Sequence, residues 1–121
     1  MKRESIVRGL AKWAGREIKP RLPQFSLARL GIATLEQLAA RDPQAAESVA
    51  ASLLGPVVPA LINAAGPQFD AVADALCEAA KGEEKVIVSL PGAFGQTVPY
   101  SLTESDFRNI IDSIRTQEAS T

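Results

Sequence analysis

The chain has no histidine, and it has one cysteine, Cys77, in 121 residues. Without histidine there is no Ser-His-Asp or Cys-His nucleophile and no imidazole proton shuttle. The common zinc sites also drop out, because they draw on several Cys and His ligands. A single thiol excludes an internal disulfide and fits a reducing compartment. Ser-Lys pairs and carboxylate pairs remain formally available, but nothing in their spacing selects one. No catalytic residue, metal ligand, cofactor or small-molecule substrate is indicated.

The chain also lacks an uninterrupted hydrophobic run. Between residues 49 and 66 the only polar side chains are Ser52 and Asn63, a length near the roughly 20 residues that cross a bilayer. Gly55-Pro56, Pro59 and Gly66-Pro67 break it into pieces too short to span one. Buried helices are expected here, with Val57, Val58, Leu61 and Ile62 inside and a homo-oligomer interface as the rival reading. At the N-terminus Glu4, Arg8 and Lys12 interrupt what a secretory signal would need to keep apolar. The chain therefore reads as not exported, placed in the cytoplasm or in a complex assembled there.

What is present in quantity is charge, and it is sorted. Residues 1–41 hold nine Lys or Arg against three Glu, a net of +6. Residues 42–121 hold four basic and eleven acidic side chains, a net of −7. Such asymmetry speaks about partners rather than fold.

Much of the positive charge falls on one helix. Ile6, Leu10 and Trp13, with Val7, Ala14 and Ile18 beside them, share one face at the helical period. Arg8, Lys12, Arg16 and Lys19 lie nearly opposite, and Pro20 ends the helix near Lys19. Gly9 and Gly15 each cost a helix about 1 kcal/mol relative to Ala, so this one needs a docking partner. Three readings are open. The basic face is solvated while the apolar face packs; or Arg8, Lys12, Arg16, Lys19 and Arg21 contact nucleic-acid phosphates; or the helix lies on an anionic membrane with Trp13 at the interface. Against the second, Trp13 sits among the apolar residues rather than between the basic ones.

A helical hairpin is expected next. Thr34 and Gln37 form a capping-box pattern ahead of Leu35, Leu38 and Ala39, and Asp42-Pro43 starts another helix that runs to Gly55-Pro56. The stretch Leu30-Gly31-Ile32 through Thr34, Leu38-Ala39 and Asp42-Pro43 resembles the second half of helix-hairpin-helix DNA-binding units over 14 residues. The glycine-rich, phosphate-contacting hairpin of that family has no counterpart in residues 20–26. The resemblance therefore transfers no site residue.

The helix at 67–81 mirrors the first in charge. Phe69, Val72, Leu76 and Ala80 face one way, and Asp70, Asp74 and Glu78 form an acidic stripe on the other. That stripe has the spacing to complement the basic one, within the chain or between copies. Cys77, among acidic neighbours and near the helix C-terminus, reads as packing rather than as a reactive thiol.

After Gly82 the pattern changes. Val86, Ile87, Val88 and Leu90 read as a strand, residues 91–95 as a loop and residues 97–102 as a second strand. Pro99 lacks an N–H, so its strand is an edge or turns the missing donor outward. Two strands alone are marginal in water, so the hairpin packs on the helices or pairs with another chain. Gly92 and Gly95 fit a turn better than a phosphate loop, and Phe94 at the tip is a candidate apolar contact. Thr103 caps a last helix carrying Phe107, Ile110, Ile111 and Ile114, and residues 117–121 read as a frayed tail.

Taken together, the sequence predicts one mostly helical α+β domain over residues 1–121. It has about five helices, a β-hairpin near 85–102 and a C-terminal helix, with residues 1–20 able to dock separately. The expected role is a non-enzymatic interaction or assembly protein, binding itself or a protein partner. Nucleic-acid binding is the alternative, and peripheral membrane binding the second.

Overall fold

A computed structural model of the chain describes residues 1–82, 86–92 and 94–120. The fold is α+β and mostly helical: α1 (Arg3–Trp13), α2 (Leu27–Arg41), α3 (Pro43–Leu54), α4 (Val57–Asn63), α5 (Phe69–Lys81), an antiparallel hairpin of β1 (Val86–Pro91) and β2 (Thr97–Leu102), then α6 (Glu104–Ala119). Lys85 at the start of the expected hairpin, Ala93 in its loop and Thr121 in the expected tail lie outside the described residues.

Residues 1–20 are the centre of the packing rather than an arm that docks apart. Seven of the eleven residues of α1 are buried, and α6, α2, α3 and α4 all pack against it. Gly9 makes the closest of these approaches possible. A Cβ built on Gly9 would lie 2.5 Å from the Ile114 Cα, so α1 and α6 touch backbone to backbone. Phe107, Ile110, Ile111 and Ile114 of α6 are buried in the same core.

After Trp13 the helix widens into a π-helical turn, Ala14–Ile18, and tightens into a 3₁₀ turn, Lys19–Arg21. Both Trp13 and Ile18 are fully buried. The wider turn accommodates two large side chains on the inner face of one helix end. Val57, Val58, Leu61 and Ile62 of α4 are buried as expected.

Helix α2 begins eight residues earlier than the sequence suggests. Ser26, itself buried, caps it by accepting the Arg29 N–H at 3.1 Å. Thr34 is therefore not a cap but a mid-helix residue whose Oγ1 donates to the Leu30 carbonyl (2.9 Å). Gly31, which lies ahead of the helix start expected at Thr34, sits inside α2 where Leu53 of α3 crosses. An added Cβ would lie 3.1 Å from Leu53 Cδ2.

Asp42 caps α3 as expected, accepting the Ala45 N–H, and Gly55 ends it with a left-handed backbone (φ 61°). Thr103 and Asp106 close a full capping box on α6. That helix runs on through residues 117–119, where the sequence reads as a frayed tail. Its end is held by the Lys2 N–H donating to Glu118 Oε2 (3.1 Å).

The hairpin register pairs Val88 with Tyr100, Ser89 with Pro99 and Leu90 with Val98. Gly92 N–H donates to the Gln96 carbonyl (2.7 Å), which fixes the parity of the ladder. Counting back in twos, 90 with 98 and 88 with 100 are hydrogen-bonded pairs, and Ser89 with Pro99 is a non-hydrogen-bonded pair. The nitrogen of Pro99 thus points away from β1 and removes a donor from the middle of the outer edge of β2. Val88, Leu90 and Leu102 turn inward and are buried.

Two outcomes test this packing. Gly9→Ala, which helix propensity alone would favour, is expected to destabilise by about 1–3 kcal/mol because backbone cannot yield. Gly15→Ala is expected to cost less, since its neighbour is the movable Glu36 carboxylate. Urea unfolding followed by the fluorescence of the single tryptophan measures both. Trp13 Nε1 is buried without a hydrogen-bond partner among the described residues. Trp13→Phe should then stay within about 1 kcal/mol of wild type, while Trp13→Ala loses about 3–5 kcal/mol.

Candidate functional site

The basic stripe works mainly as stitching between elements. Arg8 Nε donates to the Ala39 carbonyl (3.2 Å) near the C-terminus of α2, where the helix dipole favours a cation. Arg16 donates to Ser113 Oγ of α6 (3.1 Å) and meets Glu17 at 3.2 Å. Lys19 pairs with Glu36 of α2 at 2.5 Å. Arg21 donates to the Tyr100 hydroxyl of β2 (3.0 Å). Lys12 is exposed, between a shallow hollow shared with Glu36 and Gln117 and another shared with Asp112. Glu17, Glu36 and Asp112 thus offset much of the positive charge where it lies.

Trp13 does not join these residues at the surface. It is 0% exposed, so the expected apolar contact by Trp13 is corrected: the ring belongs to the core. The expected complementarity of the two stripes is not realised within the chain either. Asp70 pairs with Arg115 of α6 (2.7 Å) and Glu78 with Lys81 (3.0 Å), while the basic stripe is tied to α2, α6 and β2. Asp74 is exposed on the rim of a cleft between α5 and α6.

That cleft, about 470 Å³, contains the one thiol. Burial pushes the Cys77 thiol above its ordinary 9.0, with nearby Arg108 acting in the opposite direction. A protonated thiol is a poor nucleophile. The surrounding cations are already engaged: Arg108 donates to Glu104 at 2.9 and 2.5 Å, and Lys81 pairs with Glu78 and, at 3.7 Å, with Glu104. The hydrogen bond from Arg108 holds the Glu104 carboxyl below its ordinary 4.5, and hydrogen bonding to Glu78 raises Lys81. Among the described residues no group of three His, Cys, Asp or Glu side chains could hold a metal ion.

Two segments of the chain are distinguished by having no charge. Residues 48–69 and 86–103 contain no Asp, Glu, Lys or Arg, in a chain that is 22% charged. The two segments meet beside α2. Ser89, Pro91 and Thr97, on the outer face of the hairpin, line a groove of about 490 Å³ with Leu27 and Gly31 of α2 and Val49 and Leu53 of α3. Ile87 shares that outer face by strand alternation and is exposed. Leu27 and Leu30, three residues apart on α2, are exposed as well. Phe25 and Phe94 flank the groove in sequence and are 86% and 91% exposed. Phe94 was singled out in the sequence as a contact; Phe25, Leu27, Leu30 and Ile87 were not, and of these only Ile87 falls within a charge-free segment.

Leu30-Gly31-Ile32 lies within one continuous helix, so the resemblance to helix-hairpin-helix units does not extend to structure. Among the described residues no helix is long and apolar enough to cross a membrane.

Because the folded Glu104 titrates below its unfolded value, its contribution to stability is present above about pH 4.5 and is lost as pH falls through the lowered value. Glu104→Gln should therefore melt earlier than wild type at neutral pH, and the two Tm values should converge as the pH drops below the carboxylate range. No protein-family model, curated protein or solved structure matches this chain.

Proposed function

We propose that this chain is a non-enzymatic assembly protein that associates with a second copy of itself through the face built from α2, α3 and the hairpin. The observation that carries the reading is the groove without charged lining among the described residues, beside exposed Phe25, Leu27, Leu30, Ile87 and Phe94. Depletion of charge with aromatic enrichment is the compositional mark of an interface core. Each phenyl group has roughly 150–250 Å² to bury. With the leucines and Ile87 this approaches the ~800 Å² that one side of a standard interface covers.

The same surface favours a face-on contact. The outward proline nitrogen of Pro99 blunts the edge of β2, and α3 and α2 pack along β1. Association by continuing the sheet is disfavoured on both sides.

The nucleic-acid reading has weaker support, because four of the five basic residues it needs are tied to protein atoms within the chain. Native mass measurement with and without a nucleic-acid duplex separates the two. A dimer without bound nucleic acid is expected. Leu30→Asp and Ile87→Asp should each yield monomers with unchanged helical circular dichroism. A wild-type protein that stays monomeric at all concentrations, or one that binds the duplex with an affinity falling steeply with salt, overturns the proposal.

A further inference from the structure

Resting on that self-association, we infer that Phe94 is a preorganised anchor that seats in the groove between α2, α3 and β1 of a second copy, reciprocally, about a two-fold axis.

The hairpin tip is built to hold Phe94 outward. Its N–H donates to Gln96 Oε1 (3.0 Å), and the Gln96 carbonyl accepts the Gly92 N–H (2.7 Å). The Gln96 side chain lies against Gly92, where an added Cβ would come within 2.8 Å of its Cδ. Gly95 takes the left-handed backbone (φ 78°) that lets the chain turn back. One glutamine thus ties both sides of the tip, and a backbone held in advance loses little freedom on binding.

The groove suits that ring in size and chemistry. A dry cavity of about 150 Å³ accommodates benzene, and this groove offers about 490 Å³. Leu27, Leu53 and Pro91 wall it, with Leu53 packed close over Gly31. Among the described residues no charged side chain lines it, which favours an uncharged occupant. The projecting segment that meets this requirement is the chain's own hairpin, uncharged from 86 to 103.

Anchor and groove are neighbours, since Pro91 and Thr97 line the groove and flank the tip. A projection beside its complementary hollow on one face is what an isologous contact requires: each copy gives a ring and receives one, and the assembly closes at two.

Sedimentation of wild type, Phe94→Ser and Ser52→Trp tests this, Ser52 being an exposed residue on the groove wall. Losing one hot-spot anchor weakens a contact about 30-fold, and symmetry counts it twice, so Phe94→Ser should weaken the dimer about 1,000-fold. Ser52→Trp fills the groove and should do the same, with the helical circular dichroism of both variants unchanged. Mixed together, the two variants should recover a heterodimer, because the ring of one still fits the groove of the other. A Phe94→Ser dimer as tight as wild type, or a Ser52→Trp dimer as tight as wild type, overturns the seating while leaving the self-association standing. Failure of the mixture to form any heterodimer also overturns it. A monomeric wild type removes both.

Discussion

The crossing of α1 and α6 at Gly9 is the contact on which the rest of the structure depends. With no side chain between them, the Ile114 backbone settles directly on α1, and the buried faces of both helices are brought to one depth. Helix α1 then offers its remaining sides to α2, α3 and α4, and α6 carries α5 on its far side. The first and last helices of the chain therefore form the central pair. The other helices and β1 are packed against one of them or against a neighbour that is, β2 pairs with β1, and the Lys2 N–H to Glu118 hydrogen bond joins the start of α1 to the end of α6.

Much of this was legible in the sequence because helical periodicity and capping chemistry are local. The apolar faces of α1, α5 and α6, the Asp42-Pro43 start, the Gly55 stop and the Thr103 cap all follow from residues a few positions apart. What could not be read depends on partners distant in sequence. Gly31 looks like a position ahead of the helix until Leu53 is seen crossing it, and Gly9 looks like a weak helix position until Ile114 is seen resting there. Trp13 was ambiguous for the same reason. An amphipathic helix shows which side is apolar, but not whether that side meets water, lipid or four other helices.

The sorting of charge has a different meaning in three dimensions. Along the sequence it divides a basic third from an acidic remainder, which suggests an acidic partner elsewhere. In the fold the basic side chains reach across to Glu17, Glu36, Ser113, Tyr100 and the Ala39 carbonyl, so their main work is internal. The more telling division is between charged surface and the groove where charge is missing. Exposed pairs of this kind contribute little stability each, about 0–1 kcal/mol, but they fix which helix faces which. The uncharged groove has no such internal employment.

The outward nitrogen of Pro99 has a bearing on the fate of so apolar a hairpin at high concentration. Two exposed strands rich in Val, Ile and Tyr would ordinarily be a template for amyloid, each incoming chain adding its hydrogen bonds to the last. Here the outer ladder has a missing rung in the middle of β2, and a strand arriving from solution finds a gap where it needs a donor. Growth without limit is blocked at the backbone. The side chains above and below that gap remain at liberty to be as hydrophobic as their role demands.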